Sequence, residues 1–350
     1  MAGVVLTDWS AELASTYVPL LQGLVETGVP VTVCVRDDAD AARGQVELEA
    51  EGIDPTRIDW TPCPLDTVWM RDYGPLYGLD PDGALVYGDA VYAMGRPLDD
   101  AFPVLAASWD DAVAYQVPVA LEGGNLLSDG TGRCLTTTAA TQVAGLTEQE
   151  LGDRLAAYAG CDDLVVLTPL QGEVTGHVDT FAILLDEGTV AVGRYDPAYD
   201  PVNASILDDN AVALGSQGYE VLRVDMPGHH DGNGDDVDDF RTYTNAIPVR
   251  YGEDPVLLVP VYDDDTAVEA GALDSLAGAT DLRVVPVPAD RLIELGGAVH
   301  CVVKTVPVAT GSAPLEPRAC GCGTGSSVGL WWLAALAASR RRVAGSAPRR

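Results

Sequence analysis

Short apolar runs rich in β-branched residues alternate with stretches of helical composition along most of this sequence. Eight runs read as strands, at residues 31–35, 58–62, 164–167, 181–185, 190–193, 221–224, 256–260 and 282–287. Helical stretches lie between the first two runs and at residues 147–158, 205–217 and 266–276, the first of these three opening at a Thr147 capping box. This alternation is typical of α/β folds, so we expect that class. It recurs about five times without a sequence repeat of fixed period.

The charge balance is strongly acidic, with 53 Asp and Glu against 20 Lys and Arg and a net charge of −33. Such a body repels phosphate backbones, which excludes nucleic acid as a partner. Its long-range field would attract a cationic substrate, and the alternative is that the charge only keeps the protein soluble. Hydrophobic residues make up 47% of the 350 residues, which excludes bulk disorder.

Seven cysteines are present, and none has the paired spacing of a closed zinc site. The pair in residues 320–322 is too tight and has no partner pair. Four others lie near the ends of expected strands, namely Cys34, Cys63, Cys134 and Cys161. In an exported protein each successive pair could be a disulfide, whereas in a cytosolic protein all four would be small buried hydrophobic residues.

Four segments place reactive side chains beside turn-forming glycine or proline. In residues 69–75 a Gly-Pro pair forces a turn, so we expect Trp69 and Asp72 to lie on a loop. In residues 121–125 Glu122 precedes two glycines, which permit close backbone approach or positive φ. Taken alone, the first segment is more typical of a structural Arg–Asp pair and the second of a simple turn.

The third and fourth segments contain histidine and cysteine. If the third is extended, His177 and Asp179 project to the same face, and a histidine beside a carboxylate is a ready acid–base group. The fourth, residues 296–301, brings Cys301 after a glycine pair and into an apolar strand. A lone cysteine in such a position is usually a packing residue.

Together these side chains suit chemistry on a guanidinium group, which is planar, cationic and rich in forked donors. Asp72 and Asp179 could grip it through paired hydrogen bonds. That grip would present the central carbon to the thiolate of Cys301. His177 could then protonate departing ammonia and activate a water molecule.

In order and spacing, the four segments resemble the agmatine deiminase and bacterial, Porphyromonas-type peptidylarginine deiminase family. Residues 241–245, 259–262 and 303–307 carry supporting matches, and the resemblance covers residues 4–307. It implies a pentein fold, which is a five-bladed α/β propeller with pseudo-fivefold symmetry and its site in a central channel. It also implies no metal or organic cofactor. The family's lead-in before the first strand is absent here, which predicts an incomplete first blade.

The resemblance also implies a role for each member of the catalytic set. Cys301 is the nucleophile, His177 is the general acid and base, and Asp72 and Asp179 are the guanidinium clamps. The deiminase domain is expected to span residues 1–310.

Further positions are implied around the substrate. Asn245 lines the site, and Trp69 is a wall for the aliphatic stem. Glu122 belongs to a family motif, and we expect it at the substrate-binding site without assigning it a role.

Residues 92–100 resemble the peptidylarginine branch, in which two arginines hold the substrate carboxylate. Only Arg96 remains here, and Met94 stands at the other position. The substrate expected is a small cationic guanidino compound or a peptide arginine. Arginine, free or in a peptide, would give citrulline and ammonia, and the alternative is conversion of agmatine to N-carbamoylputrescine.

Other interpretations stay open on the same residues. An amidinotransferase or a dimethylarginine hydrolase would share the fold and the nucleophile, and an inactive surface-displayed binding module is a different class altogether. The acidic residues 231–239 partly resemble a calcium loop, but Asp236 stands where the sharp turn needs glycine and the terminal Glu is missing.

The two ends of the sequence favour different cellular locations for the protein. No secretory signal precedes the strand-like residues 3–6. Residues 311–350 form a Gly/Ser/Pro-containing linker and a tail with a cysteine motif, an apolar run at 328–338 and an arginine cluster at 340–342. The tail resembles a myxobacterial-type C-terminal sorting tag, which would imply export and anchoring at a membrane or cell surface. The alternative is a frayed terminal helix in a cytoplasmic protein.

Overall fold

The computed structural model describes residues 3–6, 12–228, 239–263 and 266–308. The calcium-loop residues up to 238 and the tail from 309 onward lie outside these ranges, so the interpretations of both stay predictions. Within the described ranges, no helix combines the length and apolar character needed to cross a membrane.

The described residues form strands and helices in alternation. The strands are β1 (Gly3–Leu6), β2 (Val31–Val35), β3 (Ile58–Pro62), β4 (Leu76–Leu79), β5 (Leu85–Val91), β6 (Ala114–Ala120), β7 (Leu127–Ser128), β8 (Arg133–Thr137), β9 (Asp163–Leu167), β10 (Ala182–Leu184), β11 (Thr189–Arg194), β12 (Glu220–Asp225), β13 (Ile247–Val249), β14 (Val256–Val261), β15 (Arg283–Pro288) and β16 (Val303–Val306). The helices are α1 (Ala14–Thr27), α2 (Asp38–Ala50), α3 (Met70–Tyr73), α4 (Pro97–Asp100), α5 (Phe102–Trp109), α6 (Thr138–Ala144), α7 (Glu148–Ala159), α8 (Pro201–Ser216), α9 (Thr266–Ala279) and α10 (Asp290–Ile293). The expected α/β class is confirmed.

These strands pair into five small mixed sheets that share one pattern. In each, an antiparallel pair is followed by a parallel pair, as in β4–β5–β6, β7–β8–β9, β10–β11–β12 and β13–β14–β15. Helices fill every connection between parallel strands, because such strands need a crossover rather than a tight turn. The fivefold recurrence agrees with the expected pseudo-symmetry, whereas closure into a propeller around a channel stays a prediction.

The first sheet is not short of a strand, so the expected incomplete first blade is wrong. Its order is β16-β1-β2-β3, and β16 runs antiparallel to β1 with Gly3 opposite Val306. A strand from the far end of the domain therefore takes the place that a preceding strand takes in the other sheets.

Helix α1 connects β1 to β2 in the first sheet and packs against the sheet formed by β13, β14 and β15. Its buried leucines share one core cluster with strand β14, every residue of which except Val261 is buried. Gly23 lies at this contact, and a Cβ atom there would fall 2.5 Å from Leu258 Cδ2. The glycine therefore permits the close approach of helix to strand.

Helix starts follow their capping residues. The Thr147 capping box is present as predicted and opens α7. Helix α8 begins at Pro201, four residues before its predicted start at residue 205. Its cap is Asp200, whose side chain accepts a hydrogen bond from the backbone N–H of Asn203, and proline is favoured at the next position.

The two cysteine pairs differ in their bonding. Cys134, on β8, forms a disulfide with Cys161, which lies just before the neighbouring strand β9. Cys34 and Cys63 are buried and are not disulfide-bonded. Neither of the two uniform expectations, both pairs oxidised or all four reduced, is therefore correct.

Candidate active site

Asp72 lies on the single helical turn α3 rather than on a loop. Gly74 N–H donates to the carbonyl of Met70 and closes the turn, and Trp69 precedes it. The prediction of a loop is therefore wrong, because four residues are too few to show helical periodicity in a sequence. The turn directs the carboxylate of Asp72 toward the second glycine of the Glu122 segment.

Gly124 is the point on which three reactive side chains converge. Its N–H donates to Asp72 Oδ1 at 3.2 Å. A Cβ atom here would fall 2.5 Å from His177 Nδ1, 2.7 Å from Asp72 Oδ1 and 3.2 Å from Asp179 Oδ2. Only glycine leaves room for this arrangement, which is the physical reason for the paired glycines after Glu122.

His177 is held between two carboxylates. Its Nε2 lies 2.7 Å from Glu122 Oε2, and its Nδ1 lies 3.6 Å from Asp72 Oδ1. Burial lowers the pKa of His177, but the charges of Asp72 and Glu122 outweigh burial and raise it to about 10. The ring is therefore an imidazolium at neutral pH and carries a proton to donate.

The segment after His177 is not extended, contrary to the sequence-based expectation. Residues Val178–Thr180 form one turn of 3-10 helix. His177 and Asp179 still reach the same place, because Asp179 Oδ2 also lies next to Gly124. A three-residue turn has no repeating pattern, so period-2 reasoning could not detect it.

Asp179 is fully buried, and only one of its two carboxylate oxygens has a side-chain partner among the described residues. His300 Nδ1 lies 2.7 Å from Asp179 Oδ2. Burial and the charge of Arg71 lower the pKa of His300 to about 4, so its ring is neutral and donates this hydrogen bond. Oδ1 of Asp179 has no partner among the described residues. Such an oxygen is prepared to receive a cationic donor.

Burial is the main cause of the raised pKa of Asp72, which reaches about 6, with the neighbouring charges of Asp179 and Glu122 adding to it. His177 opposes the shift. At neutral pH the carboxylate is ionised, and mild acid would neutralise it. Three acidic side chains in one buried place favour the arrival of a positive charge.

Cys301 lies on a 3-10 turn, His300–Val302, that leads into β16. Asn245 fixes this turn, since its Oδ1 accepts from His300 N–H at 2.9 Å while its Nδ2 lies 3.5 Å from Cys301 Sγ. The same Nδ2 donates to the backbone carbonyl of Asp179 at 3.1 Å. Burial, together with the charges of Asp179 and Asp72, raises the pKa of Cys301 well above its ordinary value.

Trp69 flanks the thiol. A Cβ atom at Gly297 would fall 2.5 Å from Trp69 Cζ3 and 3.3 Å from Cys301 Cβ. The indole therefore lies on one side of that glycine and the cysteine on another. The role of Trp69 as an apolar wall for the substrate stem stays a prediction.

Arg96 contacts Tyr92 and none of the carboxylates around Gly124 in the interactions that the structure gives. Its Nη1 donates to Tyr92 Oη at 2.9 Å, and Arg96 is partly exposed. Tyr92 is buried, and burial together with the charge of Asp72 raises its pKa. Tyr92 belongs to residues 92–100, which resemble the peptidylarginine branch, but nothing in the sequence predicts its contact with Arg96.

Four further residues support the site and were not assigned from the sequence. Asn125 joins three segments, since its Oδ1 accepts from Thr137 N–H and Val178 N–H. Its Nδ2 donates to Thr137 Oγ1. The other three are buried beside the carboxylates, and they are Arg71, His300 and Lys304. Across the ranges that the structure describes, no group of three or more His, Cys, Asp or Glu could hold a metal ion.

A buried thiol, an imidazolium between carboxylates and a carboxylate oxygen without a partner among the described residues suit chemistry on a planar cationic group. The profile of the Porphyromonas-type peptidyl-arginine deiminase family matches residues 5–307, and the chain belongs to that family. It is therefore a deiminase-type hydrolase that acts on guanidino C–N bonds.

Related proteins agree with this assignment. The agmatine deiminase of Pseudomonas aeruginosa (strain UCBPP-PA14) is 25% identical over 320 residues, which cover 79% of this chain and 83% of that protein. The solved C. jejuni agmatine deiminase is similar in fold, with a TM-score of 0.72 and 20% identity, over 87% of this chain and 92% of that one. An Enterococcus faecalis agmatine deiminase gives a TM-score of 0.71 and 17% identity, with 87% and 93% covered.

Proposed function

We propose that this protein hydrolyses the guanidino group of arginine to a ureido group and ammonia through a covalent intermediate on Cys301. The observation that carries the proposal is the convergence of Asp72, His177 and Asp179 on Gly124. Asn245 links Cys301 to Asp179, because one amide contacts both. Nucleophile, acid and clamps are thus gathered in one buried place.

In the first half-reaction the guanidinium binds between Asp72 and Asp179, with the unpartnered Oδ1 of Asp179 accepting one N–H. Once the guanidinium is bound, the thiol of Cys301 releases its proton to solvent, and the thiolate Sγ attacks the central carbon and forms a C–S bond. The C–N bond to one terminal amino group breaks, and His177 supplies the proton that turns this group into ammonia. The amidino-thioether remains on Cys301.

In the second half-reaction His177, now neutral, takes a proton from a water molecule. The resulting hydroxide attacks the same carbon, the C–S bond breaks, and the thiol is regenerated. The product has a C=O group where the guanidinium had C=NH₂⁺. Glu122 keeps His177 oriented in both steps through its contact with Nε2.

Substrate itself activates the thiol in this proposal. The charges of Asp72 and Asp179 raise the pKa of Cys301 on top of burial, so the resting cysteine is protonated. A bound guanidinium offsets part of the negative charge of the two carboxylates and so weakens their effect on the thiol. The thiolate therefore forms when a cation occupies the clamp, which protects the free enzyme from neutral electrophiles.

Among guanidino compounds we favour arginine, free or at a peptide C-terminus, over agmatine. Arg96 is partly exposed and hydrogen-bonds Tyr92, and a cation there would bind a carboxylate and repel the ammonium of agmatine. Met94 is exposed and offers no second cation. Agmatine is the second candidate, because the related proteins of Pseudomonas aeruginosa and C. jejuni are agmatine deiminases.

The catalytic proposal is tested with Cys301→Ser. We expect no detectable ureido product, because an alcohol at this position is a far weaker nucleophile, and an unchanged thermal unfolding profile. Cys34→Ser is the matched control, since it alters another buried thiol away from Gly124. Wild-type rates of product formation by Cys301→Ser would refute the nucleophile, whereas a wild type that forms no ureido product would revive the inactive binding module.

The substrate proposal is tested by assaying agmatine, free arginine and a peptide with C-terminal arginine on wild type and Arg96→Ala. We expect Arg96→Ala to lower kcat/KM for the two carboxylates by about tenfold and to leave agmatine unchanged or improved. Arg194→Ala removes an exposed arginine and serves as control. A wild-type preference for agmatine that Arg96→Ala does not alter would exclude arginine as the substrate.

We also propose that residues 311–350 anchor the protein outside the cytoplasm. The Cys134–Cys161 disulfide supports this, because disulfides persist mainly in oxidising compartments. Cell fractionation with mass-spectrometric mapping of both termini tests it. A full-length cytoplasmic protein with reduced Cys134 and Cys161 would contradict the proposal.

A further inference from the structure

Lys304 is the only lysine in the 350-residue sequence, and it is buried beside the active site with a relative exposure of 5%. Arg71 is buried next to it, with 7%. Burying a cationic side chain is costly unless its contacts repay the loss of water. The chemical steps proposed above use neither residue, so their contacts need a separate explanation.

Arg71 and Lys304 link the segment that contains Asp72 to the segment that contains Cys301. Arg71 directly precedes Asp72. Its Nε donates to the backbone carbonyl of His300, the residue before Cys301, at 3.4 Å. Lys304 lies three residues after Cys301, and its Nζ donates to the backbone carbonyl of Arg71 at 3.2 Å. Each segment therefore holds the backbone of the other.

The surrounding glycines make room for this pair. A Cβ atom at Gly74 would fall 3.0 Å from both Cγ and Cδ of Lys304. At Gly123 it would fall 2.8 Å from Lys304 Nζ and closer still to the carbonyl oxygen of Arg71. The Lys304 amine therefore lies against Gly123. The next residue, Gly124, donates its N–H to Asp72.

Charge supports the same arrangement. Burial lowers the pKa of Lys304 well below its ordinary value and that of Arg71 to about 10, while the carboxylates Asp72 and Asp179 act on both in the opposite sense. Arg71 therefore remains cationic at neutral pH. The hydrogen bond from Lys304 persists in either charge state, because a neutral amine also donates.

We propose that Arg71 and Lys304 form a reciprocal brace that sets the distance between the Asp72 clamp and the thiol of Cys301. Both are positioning residues, since they act through the backbone beside the reacting groups. This inference rests on the proposed function and deepens it. A brace of this kind governs how closely the guanidinium carbon approaches Sγ, which affects the chemical step more than binding.

The test compares alkylation of Cys301 by chloroacetamidine, which is cationic, and by chloroacetamide, which is neutral. Both form a thioether with loss of chloride, but only the first is held by the carboxylates. We expect wild type to prefer the cationic reagent and Lys304→Met to lose about tenfold or more of that preference. Lys304→Met keeps an unbranched stem against Gly74, and Arg194→Met is the control that removes an exposed cation.

Steady-state kinetics give the second readout. We expect Lys304→Met to lower kcat by about tenfold or more while KM changes by less than about threefold. Equal slowing with both alkylating reagents would indicate general loosening and overturn the brace, as would full retention of the preference. If wild type itself showed no preference for the cationic reagent, the clamp in the proposed function would be wrong instead.

A measurement on the wild-type chain covers the case in which Lys304→Met does not fold. Because the sequence has one lysine, labelling with [ε-15N]lysine yields a single side-chain NMR signal. The brace predicts a signal protected from solvent exchange that shifts in Arg71→Met. A signal that titrates like an exposed lysine would overturn the proposal.

Discussion

At the scale of single residues, the two clamp carboxylates differ in how they are held. Asp179 is fixed by His300 through Oδ2 and leaves Oδ1 without a partner among the described residues. Asp72 receives one backbone N–H, from Gly124, and lies beside His177. Asp179 is therefore the more firmly held of the two proposed clamps, and Asp72 is coupled to His177.

Replacing either carboxylate by its amide should weaken the transition state without much change in shape. For Asp72→Asn and Asp179→Asn we expect kcat/KM to fall roughly 30- to 1,000-fold, since a charged hydrogen-bond partner worth about 2 to 4 kcal/mol is lost. Asp225→Asn, in an exposed ion pair, is the control. Normal kinetics in either clamp variant would remove that residue from the clamp.

The pH profile of kcat/KM should have two limbs set by different residues. Activity should fall below about pH 6, where Asp72 takes up a proton, and above about pH 10, where His177 loses its proton. Glu122→Gln removes a carboxylate that raises the pKa of His177, so its basic limb should move to lower pH. Glu26→Gln, at an exposed ion pair, is the matched control. If the basic limb did not move in Glu122→Gln, Glu122 would not be a cause of the raised pKa of His177.

Sequence reasoning found the residues with reactive groups but not those that hold them. Cys301 and His177 were identified because glycine-bounded motifs carried them. Arg71 was considered only as a member of an Arg–Asp pair and Lys304 only within a matching segment, because their contacts span 229 and 233 residues, which no local pattern reveals. The uniqueness of Lys304 was a signal available in the sequence.

At the scale of elements, short turns rather than long helices or strands deliver the site. Asp72 comes on one turn of α-helix, and three 3-10 turns, Gly123–Asn125, Val178–Thr180 and His300–Val302, bring the rest. Periodic patterns located most of the strands correctly because those runs are apolar and β-branched. They could not locate turns of three or four residues, which are set by tertiary hydrogen bonds.

Gly124→Ala tests how tightly these turns converge. The added methyl group would press on His177 Nδ1 and Asp72 Oδ1, so we expect kcat/KM to fall by at least about a hundredfold. Gly271→Ala in helix α9 is the contrasting control, because a Cβ atom there meets nothing within 4 Å. That control should keep full activity and gain about 0.4 to 1 kcal/mol in unfolding free energy. Full activity in Gly124→Ala would mean that the three groups are not packed around this residue.

The disulfide across β8 and the start of β9 should stabilise its sheet. It closes a loop of 27 residues, for which chain entropy predicts about 3.5 kcal/mol of unfolding free energy. Cys134→Ala, Cys161→Ala and the double variant should lose similar amounts, measured by urea unfolding. Additive losses in the double variant would show that the two thiols act as separate packing groups.

At the scale of the whole molecule, one strand–helix pattern recurs in five sheets while the charge is spread over all of them. The sequence predicted the recurrence, since the strand–helix alternation is visible in it. It did not predict that β16 completes the first sheet, because strand partners distant in sequence leave no local trace. It also could not decide between the two cysteine pairs, whose bonding depends on spatial proximity.

The net charge of −33 should act on substrate capture if it does more than maintain solubility. Raising ionic strength from about 0.01 to 0.15 M shortens the Debye length from about 30 to 8 Å. We expect kcat/KM to fall severalfold, more for dicationic agmatine than for arginine, with kcat unchanged. A flat dependence for both substrates would leave solubility as the role of the charge.

The pairing of β1 with β16 has a consequence for the protein's synthesis. About 300 residues separate the two strands, and a ribosome adds roughly 5 to 20 residues per second. The earliest strand thus emerges roughly 15 to 60 s before its antiparallel neighbour, and Cys301 emerges only just ahead of that neighbour. If the proposed roles hold, a nascent chain contains Asp72, His177 and Asp179 before it contains Cys301, so we expect no turnover until synthesis reaches the last strand.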